Sequence, residues 1–227
     1  MSAADILQEA KASQRKVLTE FESKQVLADL GLPVTVQELV ATQEECTAAA
    51  EKIGYPVVMK LMAEDIVHKS DAGAVQLNLK DEDAVVAAYD KLMAIEATGD
   101  KKISVQEMAS KPITEIIIGL TTDPQFGPAL MVGLGGVSVE VYKDVSFRIC
   151  PITQFDAEEM LHEVKAFPLL DGFRGAPKAD LNAIYEILLK VSQFAIDYPD
   201  VDSMDLNPVF TYEQGAKIVD ARIILRD

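Results

Sequence analysis

The sequence predicts an α/β protein of the α+β kind, built as two lobes that each combine strands with helices. Two observations predict it. Helix-spaced and strand-like segments alternate up to about residue 110. Beyond Pro112 three strand-like stretches follow one another through Gly and Pro turns, before two helical segments and a closing pair of strands.

Phe21, Val26, Leu27 and Leu30 recur near helical spacing, so the reading is a helix over Leu18 to Leu30 that stops at Gly31. Pro33 introduces VTVQELV as a strand, and Thr42 to Lys52 reads as an amphipathic helix closed by Gly54. The β-branched run in YPVVMKLM suits a buried strand, which a polar loop, DIVHKSDAGAV, joins to a second strand, QLNL. Asp81 to Met93 has an acidic start and apolar Val85, Ala88, Tyr89 and Leu92, as a helix requires; ISVQEM is then a strand. After the lobe boundary come strands in TEIIIGLTTD, PALMVGLGG and VSVEVYKDVSFRICP. Helices follow near Asp156 to Lys165 and Leu181 to Asp197, and then the strands SMDLNPVF and AKIVDARII. The expected division is an N-terminal extension over 1–16, a first lobe over 17–109 and a second over 110–227, with a cleft between the lobes.

At 227 residues and 49% hydrophobic content the chain can bury a substantial core. Its net charge of −16 opposes unspecific attraction to nucleic acid or anionic lipid, which draws on an excess of Lys and Arg. A nucleotide is still admissible if a few lysines converge and a divalent metal offsets carboxylates beside the phosphates. No apolar run approaches the roughly 18 residues of a membrane helix, and the start has neither a basic lead nor an apolar core. The expectation is a soluble cytoplasmic protein. Cys46 and Cys150 stand far apart, outside any C-x-x-C pattern, and indicate neither a disulfide framework nor a zinc site.

Lys60 ends the strand PVVMK, where a lysine is ordinarily solvated but can also meet a phosphate as a point charge. The next loop brings His68, Lys69, Ser70, Asp71 and Gly73 together. Gly73 allows backbone N–H groups close to an anion, and a neutral imidazole at His68 can take a phosphoryl group covalently; an ordinary solvated histidine is the alternative. Asp205 and Asn207 lie two apart on a strand and so share a face; with Asp220 on the neighbouring strand they form an oxygen set suited to Mg²⁺. The competing reading is a turn at Asn207 and Pro208 with solvated acids. Glu107 and Glu115 flank the lobe boundary, where a strand edge can offer backbone groups to an adenine and a carboxylate to a ribose. The GLGG of Gly133, Gly135 and Gly136 is neither a P-loop nor a dinucleotide fingerprint, and reads as a tight turn between strands.

Taken in order, TEFESKQVLADLGLPV, YPVVMKLMAEDIVHKSDAG, VQEM, DPQFGPALMVGLGGVSVEVYKDVSFR, LLDGFRG and DLNPV resemble the ATP-grasp subunit of ADP-forming acetyl-CoA and acyl-CoA synthetases, in the wider succinyl-CoA synthetase superfamily. The resemblance runs from about Leu18 to Leu225. It implies an ATP-grasp fold, two lobes each with a mainly antiparallel sheet and helices and the nucleotide between them, with Lys60 on ATP phosphates, Glu107 and Met108 as the adenine hinge, and Glu115 at the ribose. It further implies Asp205, Asn207 and Asp220 on Mg²⁺, and His68 as a phosphohistidine relaying phosphate between a partner subunit and ADP. Ala74 departs from the pattern where relatives often have a second glycine, as does Ser203 where many carry Glu. No CoA-binding module is present in these residues, so the resemblance implies a CoA-binding alpha-type partner in a heterotetramer, together catalysing acyl-CoA + ADP + phosphate = acid + CoA + ATP. Two rival readings are an ATP-grasp carboxylate–amine ligase, against which the HKSD loop speaks, and a non-catalytic nucleotide-binding module of a protein acetyltransferase.

Overall fold

The computed structural model describes residues 1–63, 73–135 and 144–226. In chain order, α1 (Ala3–Ala12) and α2 (Glu20–Asp29) precede β1 (Gln37–Val40), α3 (Gln43–Ile53), β2 (Val57–Met62), β3 (Val75–Leu79), α4 (Glu82–Met93) and β4 (Lys102–Glu107). Then come β5 (Thr114–Asp123), β6 (Gly127–Leu134), β7 (Val145–Ile149), α5 (Gln154–Glu163), α6 (Leu181–Asp197), β8 (Val201–Thr211), β9 (Ala216–Ile218) and β10 (Ala221–Leu225). They fall into two compact units, Thr35–Ser110 and Met1–Val34 together with Lys111–Asp227.

The unit Thr35–Ser110 holds an antiparallel sheet ordered β1-β4-β2-β3. Its helices begin where side chains satisfy the free N–H groups of the first turn. The Thr42 hydroxyl accepts from the Glu45 N–H, and the Glu45 carboxylate accepts from Thr42 in return; Asp81 caps α4 through the Ala84 N–H. Gly54, at φ +97°, ends α3 in a conformation that a side chain would resist. Cys46, Ala49 and Ala50 of α3 and Val85, Ala88 and Leu92 of α4 pack on Val57, Met59, Leu61, Ile103 and Val105 of the sheet. Burying each of these larger aliphatic side chains is worth about 1.5–3 kcal/mol.

The other unit holds an antiparallel sheet ordered β10-β8-β5-β6-β7, with β9 also paired to β8. One face is apolar throughout: Ile116, Ile118, Leu120, Leu130, Val132, Met204, Leu206, Val209, Ala221 and Ile223 share a core with α1, α2, α5 and α6. α6 supplies Ile184, Ile187, Leu188, Val191 and Phe194 to it at helical spacing.

The N-terminal residues differ from their expected place. They are neither an extension over 1–16 nor, up to Val34, part of the first lobe; they belong to the unit of the C-terminal half. Two forces put them there. Ala3, Ile6, Leu7, Ala10, Leu18, Val26 and Leu27 complete that unit's core. β10 is also an edge strand, and this segment covers it: Leu18 N–H donates to Ile223 O (3.0 Å), Leu225 N–H to Lys16 O (2.7 Å), and Ile223 N–H to Ser23 Oγ (3.2 Å). Fully buried Lys24 adds a bond from its Nζ to Val219 O at 3.3 Å.

Candidate functional site

The two faces of the six-stranded sheet have opposite characters, and the difference follows from strand alternation. Met204 and Leu206 are buried in the core, so Ser203, Asp205 and Asn207 between and beside them lie on the other, open face. In the antiparallel register Asp205 is flanked by Gly119 on β5 and by Arg222 on β10. Asn207 and Pro208 do not make a turn. They sit inside β8 at a bulge, where two residues oppose the single Ile117 between the pairs Ile116↔Val209 and Ile118↔Leu206. The Asn207 N–H donates to the Asp220 carbonyl at 3.3 Å, which brings Asp220, immediately before β10, level with Asn207. The three residues read as a metal set are thus neighbours on one open face.

Asp205 is held above the usual carboxylate range, first by partial loss of solvent and then by the nearby Asp220 charge, with Arg222 opposing. Two mutually repelling carboxylates are a feature that a cation relieves. Among the described residues no three of His, Cys, Asp and Glu converge into a metal site. Two carboxylates and an amide fit Mg²⁺, which keeps waters and phosphate oxygens in its shell, better than a metal caged by protein alone. Glu115 lies on the same sheet opposite Phe210, and its carbonyl accepts from the Gly135 N–H at 2.7 Å.

The glycines of GLGG differ from the expected tight turn. Gly133 is inside β6, where a Cβ would stand 2.7 Å from Val145 Cγ1 and 2.8 Å from Asp144 O; at Gly135 it would stand 3.0 Å from the Glu115 main chain. Close strand approach, not turning, excludes side chains there. Gly136 lies outside the described residues. The KDVSFR stretch beyond it is structural where described. Asp144 accepts from the N–H groups of Lys165 and Ala166 (both 2.8 Å), and Glu163 of α5 binds Arg148 through both oxygens (2.7 and 2.9 Å) and Ser146 Oγ at 2.5 Å.

In the four-stranded sheet Lys60 is 6% exposed, so it is not the solvated strand-end lysine that sequence alone allows. It pairs in register with Ser104, and Val58 pairs with Gln106, so Lys60, Ser104 and Gln106 share the face opposite the apolar core. Ser104 and Gln106 are buried too, and Gln106 Nε2 donates to Ser104 Oγ at 3.0 Å. At the end of β4 the Glu107 N–H donates to Val36 O (2.9 Å), the Glu107 carboxylate accepts from the Val36 N–H (3.0 Å), and the Met108 N–H donates to Pro56 O (3.3 Å). Both main-chain N–H groups are thus engaged within this unit.

His68, Lys69, Ser70 and Asp71 lie outside the described residues. Gly73 stands at φ +68°, in the left-handed region that favours glycine, and Ala74 is fully buried in the core with ordinary backbone, its carbonyl accepting from Leu61. A second glycine is therefore not required at 74. The other histidine, His162, sits on α5 with Nδ1 at 2.7 Å from the Glu158 carbonyl, which fixes the proton on Nδ1. A separate open groove of about 460 Å³ between β1 and α3, lined by Glu38, Val40, Glu45, Ala49, Lys52 and Lys102, contains none of the predicted site residues. No helix among the described residues is long and apolar enough to cross a membrane.

Residues 9–225 match the ATP-grasp domain family, which sets the class. The chain is 48% identical to the beta subunit of ADP-forming acetate–CoA ligase II of Pyrococcus furiosus, over 99% of this chain and 98% of that one. Its structure is similar to acetyl-coenzyme A synthetase 1 of Ca. Korarchaeum cryptofilum in complex with coenzyme A and Ca-AMPCP, with a TM-score of 0.93 at 44% identity, covering 99% of this chain and 100% of that one. A second structure of that enzyme, with coenzyme A and Mg-AMPPCP and a phosphohistidine segment pointing towards the nucleotide binding site, matches with a TM-score of 0.90 at 44% identity and the same coverage. This chain belongs to the ATP-grasp family, among the beta subunits of ADP-forming acetate–CoA ligases.

Proposed function

We propose that this chain is the nucleotide-binding subunit of an ADP-forming acyl-CoA synthetase, working in the cytoplasm with a CoA-binding alpha-type partner in a heterotetramer. The observation that carries the reading is the open-face set of Asp205, Asn207 and Asp220 in a chain that matches the ATP-grasp family almost end to end.

In the proposed reaction the partner converts acyl-CoA and phosphate into acyl phosphate and CoA, and takes the phosphoryl group onto its own histidine with release of the acid. The His68 imidazole then attacks that phosphorus as the bond to the partner's imidazole breaks, and the ADP β-phosphate oxygen displaces His68 to give ATP. Asp205, Asn207 and Asp220 would hold Mg²⁺, whose chemistry is to neutralise charge on the phosphates. Lys60, buried beside Ser104 and Gln106, supplies a second positive charge to phosphate in surroundings where Coulomb attraction is strong. Glu107 and Met108, at the end of β4, form the hinge that meets the adenine. Glu115 accepts from the ribose hydroxyls.

The test is to incubate the chain with its partner, acetyl-CoA and labelled phosphate without ADP. Acid-labile label on His68 that moves to ADP when it is added is the expected result. ATP formation at an undiminished rate by His68→Ala would contradict the relay.

A further inference from the structure

Arg222 is a charged residue of the open face that lies outside the metal set. It lies two residues beyond Asp220 and directly opposite Asp205 in the β8–β10 register, so its side chain shares the face of Asp205, Asn207 and Asp220. Beside two carboxylates a guanidinium ordinarily forms a bidentate pair. Arg222 forms none with the described residues, and its Nε is buried without a hydrogen-bond partner. Leaving that N–H unmade has a desolvation cost that a ligand can recover.

We propose that Arg222 binds the terminal phosphate of the nucleotide, so that this face takes metal and phosphate together. The proposal rests on the nucleotide reading above. Its charge balance points to an anion: two carboxylates against one guanidinium and one divalent cation leave a net positive charge, and a guanidinium fork matches phosphate oxygens. A different role for Arg222, as counter-charge that only eases the repulsion between Asp205 and Asp220, predicts the opposite sign. Removing a mere counter-charge strengthens Mg²⁺ binding and leaves Mg·ADP bound as well or better; removing a phosphate ligand weakens Mg·ADP.

The experiment is calorimetric titration of the full chain, wild type and Arg222→Gln, with Mg·ADP and separately with adenosine. The expected result is a dissociation constant for Mg·ADP at least about tenfold higher in Arg222→Gln, with adenosine affinity unchanged and Arg222→Lys intermediate. Unchanged or tighter Mg·ADP binding, or an equal loss for Mg·ADP and adenosine, overturns the proposal. Absence of Mg·ADP uptake by the wild type overturns the nucleotide reading as well, which separates the two failures.

Discussion

Glu163 and Asp205 are carboxylates of the same structural unit, and their surroundings push them in opposite directions. Glu163 is held at about 2 by Arg148 and Ser146, which donate to it across the junction of α5 and β7. Asp205 is raised by partial desolvation and by Asp220. A carboxylate whose partners are supplied by the fold contributes to stability; one whose nearest acidic neighbour repels it is set up for a partner from outside. The buried Lys60 of the four-stranded sheet is the cationic member of the proposed site in its unit.

Four outcomes would break or sharpen that contrast, taken from the largest expected effect downward. Asp220→Ala removes a proposed metal ligand, and ATP formation with the partner subunit should fall by about a hundredfold or more, with little change in Tm. A fall in Tm with activity intact would place Asp220 with Glu163. Lys60→Met replaces a buried charge by an apolar side chain of similar length. Mg·ADP should bind at least about tenfold more weakly while adenosine affinity holds; titration of both ligands into one sample checks it.

Glu163→Gln should lower Tm at pH 7 and leave nucleotide affinity unchanged. Because the folded value of Glu163 lies below its ordinary 4.5, its contribution is fully present above that value and is lost as pH falls towards about 2. The Tm difference from wild type should close over that window. Asp205→Asn carries the opposite sign and the smallest effect. A raised carboxylate disfavours the folded state once pH exceeds its folded value, so without metal the variant should be slightly more stable than wild type at pH 7. That gap should close as pH falls to the ordinary 3.8, and the Mg²⁺-induced rise in Tm should be absent.

Much of this was legible in the residues because local rules and tertiary structure agree. Thr42 with Gly54, and Asp81 with its acidic first turn, bracket α3 and α4 where the sequence places them, and the 3.6-residue spacing of α6 is followed from Leu181 to Asp197. Period-two alternation sufficed to put Asp205 and Asn207 on one face. α1 was missed although its signal was present: Ser2 and Asp5 form a capping box, and Ile6 and Ala10 recur on the face that Ala3 and Leu7 share. Its docking depends on a core that the C-terminal half supplies, more than a hundred residues later, and no local pattern contains that. Nor could the burial of Lys60 be read, since Ser104 and Gln106 reach it from β4 through the sheet. Arg222 was within reach: Asp220 and Arg222 stand two apart at the start of β10, the same spacing that singled out Asp205 and Asn207.

The central claim is that the open-face acids hold the nucleotide through magnesium. Calorimetric titration of ADP into the chain, with and without Mg²⁺, for wild type and an Asp205→Asn, Asp220→Asn double variant, tests it most directly. The account predicts one site that requires Mg²⁺ in the wild type and weak, Mg²⁺-insensitive binding in the double variant. Equal binding by both proteins, or wild-type binding indifferent to Mg²⁺, would contradict it.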